Sequence, residues 1–304
     1  MKSFLPVFVC CFLLMACVPG CEHKKENTAT SGKIIVLVSE AYLPLLQSLT
    51  TEFTSLYPEA QFDVRPVSTR EAIVHLLNDS VHTICIDRQF NDEEHRIADQ
   101  AGMKIVENHI ADDAVALVVH ELNPLGSISA DIAKKIIDGT VTRWEQIPGS
   151  KQSGAIDVVL TGKNSGLYEL LQTTIFHGMQ QLTVRAAFPT QHDVLAYIAQ
   201  HPFAVGFVSA SVALSEHPKQ VKLLSLDVVT EDGSHKKMLP GPSEIYQTLY
   251  PFKYSLYLYT AEAKAATGTG LTAFVLSYNG QRIIQKAGLV PEKIPTRTIQ
   301  LTAE

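Results

Sequence analysis

A chain of 304 residues with 46% hydrophobic and 18% charged residues is long enough for about two domains and has the make-up of a globular protein, which excludes a disordered one. Lys and Arg total 25 against 31 Asp and Glu, a net charge of −6, which argues against a general nucleic-acid binder while leaving room for a local anion site. Met1-Lys2 then opens the chain, and Phe4 to Met15 is almost wholly apolar. That run is shorter than the roughly 20 residues a bilayer span requires, and it has the form of a secretory signal core. Leu14-Met15-Ala16-Cys17 closes it with a small residue directly before a cysteine, so residues 1–16 are expected to be a signal peptide. Residues 17–32 are expected to be a flexible tether, since residues 22–32 are small and polar. Of the five cysteines, Cys10 and Cys11 fall in the signal and Cys17 and Cys21 in the segment 17–32. That leaves Cys85 in the body as a buried small hydrophobe, with no disulfide framework.

Beyond the tether, Lys33 to Val38 reads as a strand buried on both faces, and Leu43, Leu46, Leu49, Phe53 and Leu56 recur at helical spacing. Strands are expected at 61–67, 83–86, 103–107 and 114–119, with helices at 71–78 and 91–101. A second alternating series follows Asn123-Pro124, with helices near 129–137, after Ser165 and at 191–200, and strands at 155–160 and 204–208. Residues 227–245 read as an exposed loop and Tyr254 to Tyr259 as a strand with two unlike faces. A final helix is expected over 269–287, broken near Asn279-Gly280. Strand and helix alternate throughout, which predicts an α/β body with largely parallel sheet.

No HExxH, CxxC, Walker A, GxGxxG or GxSxG motif occurs, and the 11 histidines lack ligand spacing, so neither a metal nor another cofactor is expected. What recurs is a small polar residue where a strand gives way to a helix: Ser39, Ser68-Thr69, Asp87-Arg88, and Ser165 within Thr161-Gly162-Lys163-Asn164-Ser165-Gly166. In an open parallel sheet ligands bind outside the carboxyl ends of the strands, where helix N-termini offer free N–H groups to an anion. Helix N-caps call for the same residue types, so each site taken singly is also explained by capping.

The order and spacing of several segments resemble the phosphate-binding lipoproteins of bacterial phosphate ABC importers. They run from Asp113–Pro124 through Ile137-Asp138-Gly139-Thr140-Val141-Thr142-Arg143-Trp144, Asn164-Ser165-Gly166 and Ala204–Ser209 to Tyr250–Thr260 and Ala287–Pro291. The signal's end likewise resembles the bacterial lipobox, which implies diacylglyceryl modification of Cys17 and a membrane anchor through the N-terminal lipid. The resemblance implies the two-lobe type II periplasmic-binding-protein fold, each lobe a mostly parallel sheet flanked by helices, joined by a two-strand hinge at 114–121 and 252–259. The first lobe would comprise 33–122 plus 246–304 and the second 123–245. The function implied is capture of inorganic phosphate or a related oxyanion outside the cytoplasm for an ABC permease and its ATPase, with no catalysis. The ligand site implied takes Ser39 with the amides of Glu40 and Ala41, Ser68 and Thr69, Asp87 or Arg88, and Ser165 with Gly166. An Asp in such a site accepts a bond only from a protonated oxyanion, which favours phosphate over sulfate. Two places depart from the family. Thr161 stands where an Arg is usual and Leu167 where a Thr is usual, so Lys163 or Arg88 would have to supply the charge. A sensor or adhesion lipoprotein with altered anion specificity is the alternative, and an enzyme using Asp87 near Ser68 is a third reading.

Overall fold

The structure is a computed structural model that describes residues 27–176, 181–216, 218–230, 233–261 and 266–294; Cys17, Cys21 and the signal segment lie outside them. The first series contains β1 (Gly32–Ser39), α1 (Leu43–Leu56), β2 (Ala60–Val67), α2 (Thr69–Leu77), β3 (Thr83–Ile86), α3 (Asp92–Gln100) and β4 (Ile105–His120). The second contains β5 (Ser127–Ser129), α4 (Ala130–Ile137), β6 (Asp157–Thr161), α5 (Gly166–Leu170), β7 (Ala186–Phe188), α6 (Gln191–Ile198), β8 (Ala204–Ser209), α7 (Ala210–Glu216), β9 (Val221–Val229), β10 (His235–Met238) and α8 (Pro242–Tyr246). The chain returns with β11 (Lys253–Ala261), α9 (Ala266–Val275), α10 (Tyr278–Lys286) and β12 (Val290–Pro291).

The strands run in the order β2-β1-β3-β11-β4-β8-β6-β7. In the first half β1 pairs parallel with both β2 and β3; in the second, β6 pairs parallel with both β7 and β8. All four residues of β3 and all six of β8 are buried, which is what a parallel strand covered on both faces requires. α1 buries the stripe Leu45, Leu46, Leu49 and Phe53, and Phe53 meets Phe62 and Phe274 edge-on. Each such side chain contributes about 1.5–3 kcal/mol of burial.

β4 is the element that joins the halves. Its residues 105–114 pair with β11, and from Val115 onward it pairs with β8 and β9. The sequence reading expected two strands here, at 103–107 and 114–119; the structure shows one strand of 16 residues, because polar Glu107, Asn108 and His109 stay paired with β11 and the register shift at Ile110 does not end the strand. The second hinge segment also differs. β11 stays in the first half, paired with β3 and β4, so the return passage lies upstream of it, at residues 239–252. There Tyr250 donates to the Val115 carbonyl at 3.1 Å, and the Val115 N–H donates to the Phe252 carbonyl at 2.8 Å. The apolar core runs without a gap from Val36 and Leu46 through β4 to Leu160 and Leu195.

Two further expectations need correction and a third is met. The segment 227–245 is not a loop: β9 and β10 pair antiparallel with His235 opposite Val229, and the short α8 follows. The final helix breaks near Asn279-Gly280 as expected, at residues 276–277, with Ser277 capping α10 by accepting the Gly280 N–H. Gly280 is needed for packing, since a Cβ there would lie 2.3 Å from the Phe274 carbonyl oxygen. The expected tether also ends early. Thr267 donates to the carbonyls of both Thr28 and Ser31, and Gly32 bonds to Glu59, so the folded body reaches back to Thr28.

Candidate anion-binding cleft

The carboxyl ends of β1, β2 and β3 from one half face those of β6 and β7 from the other across a cleft of ≈ 440 Å³. It is lined by Ser39, Glu40, Pro66 to Thr69 and Asp87 on one side, and by Gly162 to Ser165 and Phe188 to Gln191 on the other. Three helices begin at this cleft. Ser68 caps α2, Ser165 caps α5 and Thr190 caps α6, each accepting a backbone N–H from the first turn. The capping explanation therefore holds for these hydroxyls; it uses an acceptor lone pair, which leaves the Ser68 O–H as a donor, whereas the Thr190 O–H donates to Asp193 at 2.7 Å and the Ser165 hydroxyl shares a bond with Thr161.

Asp87 is the buried centre of the cleft, 1% exposed. Its Oδ1 accepts from the Thr69 hydroxyl at 2.6 Å, and Ser39 also bonds to the carboxyl. Burial pushes this carboxyl above its ordinary range, against the pull of Thr69, Arg88 and Ser39. α3 is capped by Asn91 in a reciprocal box with Glu94, and the Asp87 carboxylate turns inward while Arg88 turns away.

Arg88 is not brought to the cleft. Its guanidinium holds Glu94 through two bonds of 2.8 Å, the Gln89 carbonyl at 2.7 Å and Glu169 at 2.9 Å, and it lines a separate cavity. Ala41 also lies elsewhere, lining a cavity between α1, α7 and α10. Gly166 is buried, and the space its side chain would occupy is taken by the Asp87 carboxyl rather than by the open cleft. Thr161 is buried and bonded to Ser165 at 2.7 Å, and Leu167 is fully buried core, so neither departure from the family pattern faces the cleft. The cation lining the cleft is Lys163, exposed on its loop.

Glu40 reaches across. Its Oε1 accepts the backbone N–H of Gln191 at 3.0 Å, at the N-terminus of α6. Burial pushes the carboxyl up to about 7, against that hydrogen bond and reinforced by Asp87, Asp193 and Glu216. The halves are also linked by the Arg70 N–H on the Asn164 carbonyl, at 3.1 Å, and by the Arg88–Glu169 pair. This is a closed arrangement of the two halves.

Thr190 and Gln191 were not singled out from the sequence. The signal was present, a Thr followed three residues later by Asp193 at the start of a helix, but β7 is only three residues long and does not read as a strand. Among the described residues no group of three or more His, Cys, Asp or Glu is placed to hold a metal ion, and no helix is long and apolar enough to cross a membrane.

A PBP superfamily domain model matches residues 24–279, most of the chain. The chain belongs to the PBP superfamily. It is 23% identical over 274 residues to Protein SphX of Synechococcus elongatus, covering 88% of this chain and 80% of that protein. It is also 23% identical over 313 residues to the phosphate-binding protein PstS of Bacillus subtilis, covering 100% of this chain and 97% of that one. Among solved structures it is similar to a Clostridium perfringens protein crystallised with bound phosphate. The TM-score is 0.75 at 20% identity, covering 86% of this chain and 100% of that one. An ABC-type phosphate transport receptor from Vibrio cholerae matches with a TM-score of 0.66 at 18% identity, covering 86% and 100% of the two chains. At these identities the structural matches establish the fold, which is the type II binding-protein fold that the order of segments implied.

Proposed function

We propose that this PBP superfamily chain is a lipid-anchored receptor outside the cytoplasm that captures inorganic phosphate between its halves and delivers it to an ABC importer. The observation that carries the reading is convergence: Ser39, Ser68, Thr69, Asp87, Lys163 and Ser165 line one cleft at the carboxyl ends of parallel strands. The Ser68 hydroxyl, the Lys163 ammonium and the N-termini of α2 and α6 supply donors, while Thr69 and Ser39 hold Asp87 as an acceptor for a protonated oxygen. Relatives described as phosphate-binding support the same ligand. Ala41, Arg88 and Gly166 act outside direct contact in this reading. Isothermal titration of the mature chain with phosphate tests it, and absence of binding returns the chain to a sensor or adhesion role. That second reading is favoured by one observation, the lack of any Arg among the residues lining the cleft. The pair of the enzyme reading, Ser68 with Asp87, is not formed: Ser68 caps α2, and the Asp87 carboxyl is bonded to Thr69 and Ser39.

Two expected results bear on this proposal. Cys17→Ala removes the thiol at the cleavage point, so unprocessed precursor should accumulate without acylation. Metabolic palmitate labelling reads this, and labelling that persists moves the anchor to Cys21. Asp87→Asn replaces an acceptor-only group by one that also donates. Phosphate-over-sulfate preference should then fall by about tenfold or more, as the mismatch of a buried donor and acceptor is worth roughly 1–3 kcal/mol. Competitive binding of the two anions measures it, and unchanged preference removes Asp87 from the ligand site.

A further inference from the structure

We infer that the cleft takes its oxyanion in the singly charged, doubly protonated form, and that Glu40 is the residue that imposes this choice. The inference rests on the phosphate reading above and adds the ligand's charge state to it. Two carboxyls line the cleft, Glu40 and Asp87, against one ammonium, Lys163. Arg88, the guanidinium nearest in sequence, is held by Glu94 and Glu169 and balances their charge rather than the ligand's. A carboxylate can only accept hydrogen bonds. Dihydrogen phosphate brings two O–H groups, one for each carboxyl, and two bare oxygens for the hydroxyl, amide and ammonium donors. The dianion brings one O–H, so one carboxylate would face a bare oxygen in a shielded space, where like charges repel strongly.

Glu40 cannot simply swing out of the way. Its Oε1 is held by the Gln191 N–H. Gln191 is itself 2% exposed and fixed at both ends of its amide, with Nε2 donating to the Ser209 hydroxyl at 3.0 Å and Oε1 accepting the Ser209 N–H at 2.6 Å. The charged groups around Glu40 are Asp87 at the end of β3, Asp193 and His192 on α6, and Glu216 on α7, where His192 pairs with Glu216 at 2.8 Å. Three of the four are acidic, and together with burial they push the Glu40 carboxyl up to about 7. The closed cleft therefore holds one proton between the Glu40 carboxyl and the phosphate oxygen that faces it, and loses that proton as pH rises. Inorganic phosphate loses its second proton near neutrality as well, so both changes weaken binding as pH rises.

Phosphate titrations of the mature chain from about pH 5.5 to about pH 8.5 test this, on the wild type and on Glu40→Gln. The Gln variant keeps a carbonyl for the Gln191 N–H and removes only the charge. The wild type is expected to bind at least about tenfold more weakly at the alkaline end. Glu40→Gln should show a shallower profile and bind more tightly than the wild type at alkaline pH. A wild-type affinity that is flat or rises with pH overturns the inference, as do parallel profiles for the two proteins. Absence of phosphate binding at every pH overturns the transport reading itself, a result distinct from binding with the wrong pH profile.

Discussion

Valine at position 166 is expected to abolish phosphate binding by holding the halves apart. A Cβ built on Gly166 lies 1.9 Å from Asp87 Oδ1 and 2.4 Å from its Cγ. Real Cβ atoms do not approach so closely, so the end of β3 must withdraw from the N-terminus of α5. Asp87 would then lose its place opposite the Gly162 to Ser165 loop, and the Arg88–Glu169 pair beside it would stretch. The expected affinity loss is a hundredfold or more, on the order of 3 kcal/mol, with about 1–3 kcal/mol of overpacking strain on the closed form. Titration calorimetry reads the first effect, and a larger radius of gyration by X-ray scattering reads the separation. Gly162→Ala, in the same loop, meets nothing within 4 Å and should leave the melting temperature unchanged. The ligand site implied by the resemblance sets Gly166 against the anion itself. The structure replaces the ligand with Asp87, so strain should appear even without phosphate.

The second large effect is expected at Asp113. This carboxylate is 1% exposed and accepts four bonds: from the Ala114 N–H at 2.7 Å, the Ser211 N–H at 3.2 Å, the Ser211 hydroxyl at 2.5 Å and the Tyr42 hydroxyl at 3.0 Å. Tyr42 continues to Tyr254 at 2.6 Å, and Tyr254 to Ser209 at 2.6 Å. The chain of bonds therefore ties the turn after β1 to the β8–α7 junction and to β11, across the meeting line of the halves. Asp113→Ala leaves four donors without their acceptor. Even with some hydroxyls rotating to new partners, a loss of roughly 3 kcal/mol is expected, or a fall in melting temperature of about 6–12 °C for a protein of this size. Differential scanning calorimetry measures it. Asp113→Asn should cost less, because the Tyr42 and Ser211 hydroxyls can each turn to accept.

Much of the cleft was legible because its residues follow a local rule. Ser39, Ser68, Asp87 and Ser165 each stand between the end of a strand and the start of a helix, and the topology brings such places to one edge. Arg88 shows where the rule stops. It is adjacent to Asp87, but neighbouring residues of an extended chain point to opposite sides. Its partner Glu169 lies 81 positions away and is unreadable from spacing. Asp113 was part of a recognised segment, yet its partners at 42 and 211 come together only once the sheet is formed. Thr190 escaped because its preceding strand is too short to show a period. Glu40 enters the implied site through its backbone amide alone, and only the folded chain reveals the Gln191 N–H that holds its side chain in the cleft.

The continuous 16-residue β4 has a thermodynamic consequence. One strand supplies ladder partners to β11 on one side of Ala114 and to β8 and β9 on the other, and one apolar core runs past it without interruption. Neither half can melt and leave the other's sheet intact. The protein should therefore unfold in a single calorimetric transition, with the van't Hoff enthalpy matching the measured one, rather than lobe by lobe. Amides of β4 on both sides of Ala114 should exchange with deuterium only through that global event, at one common rate.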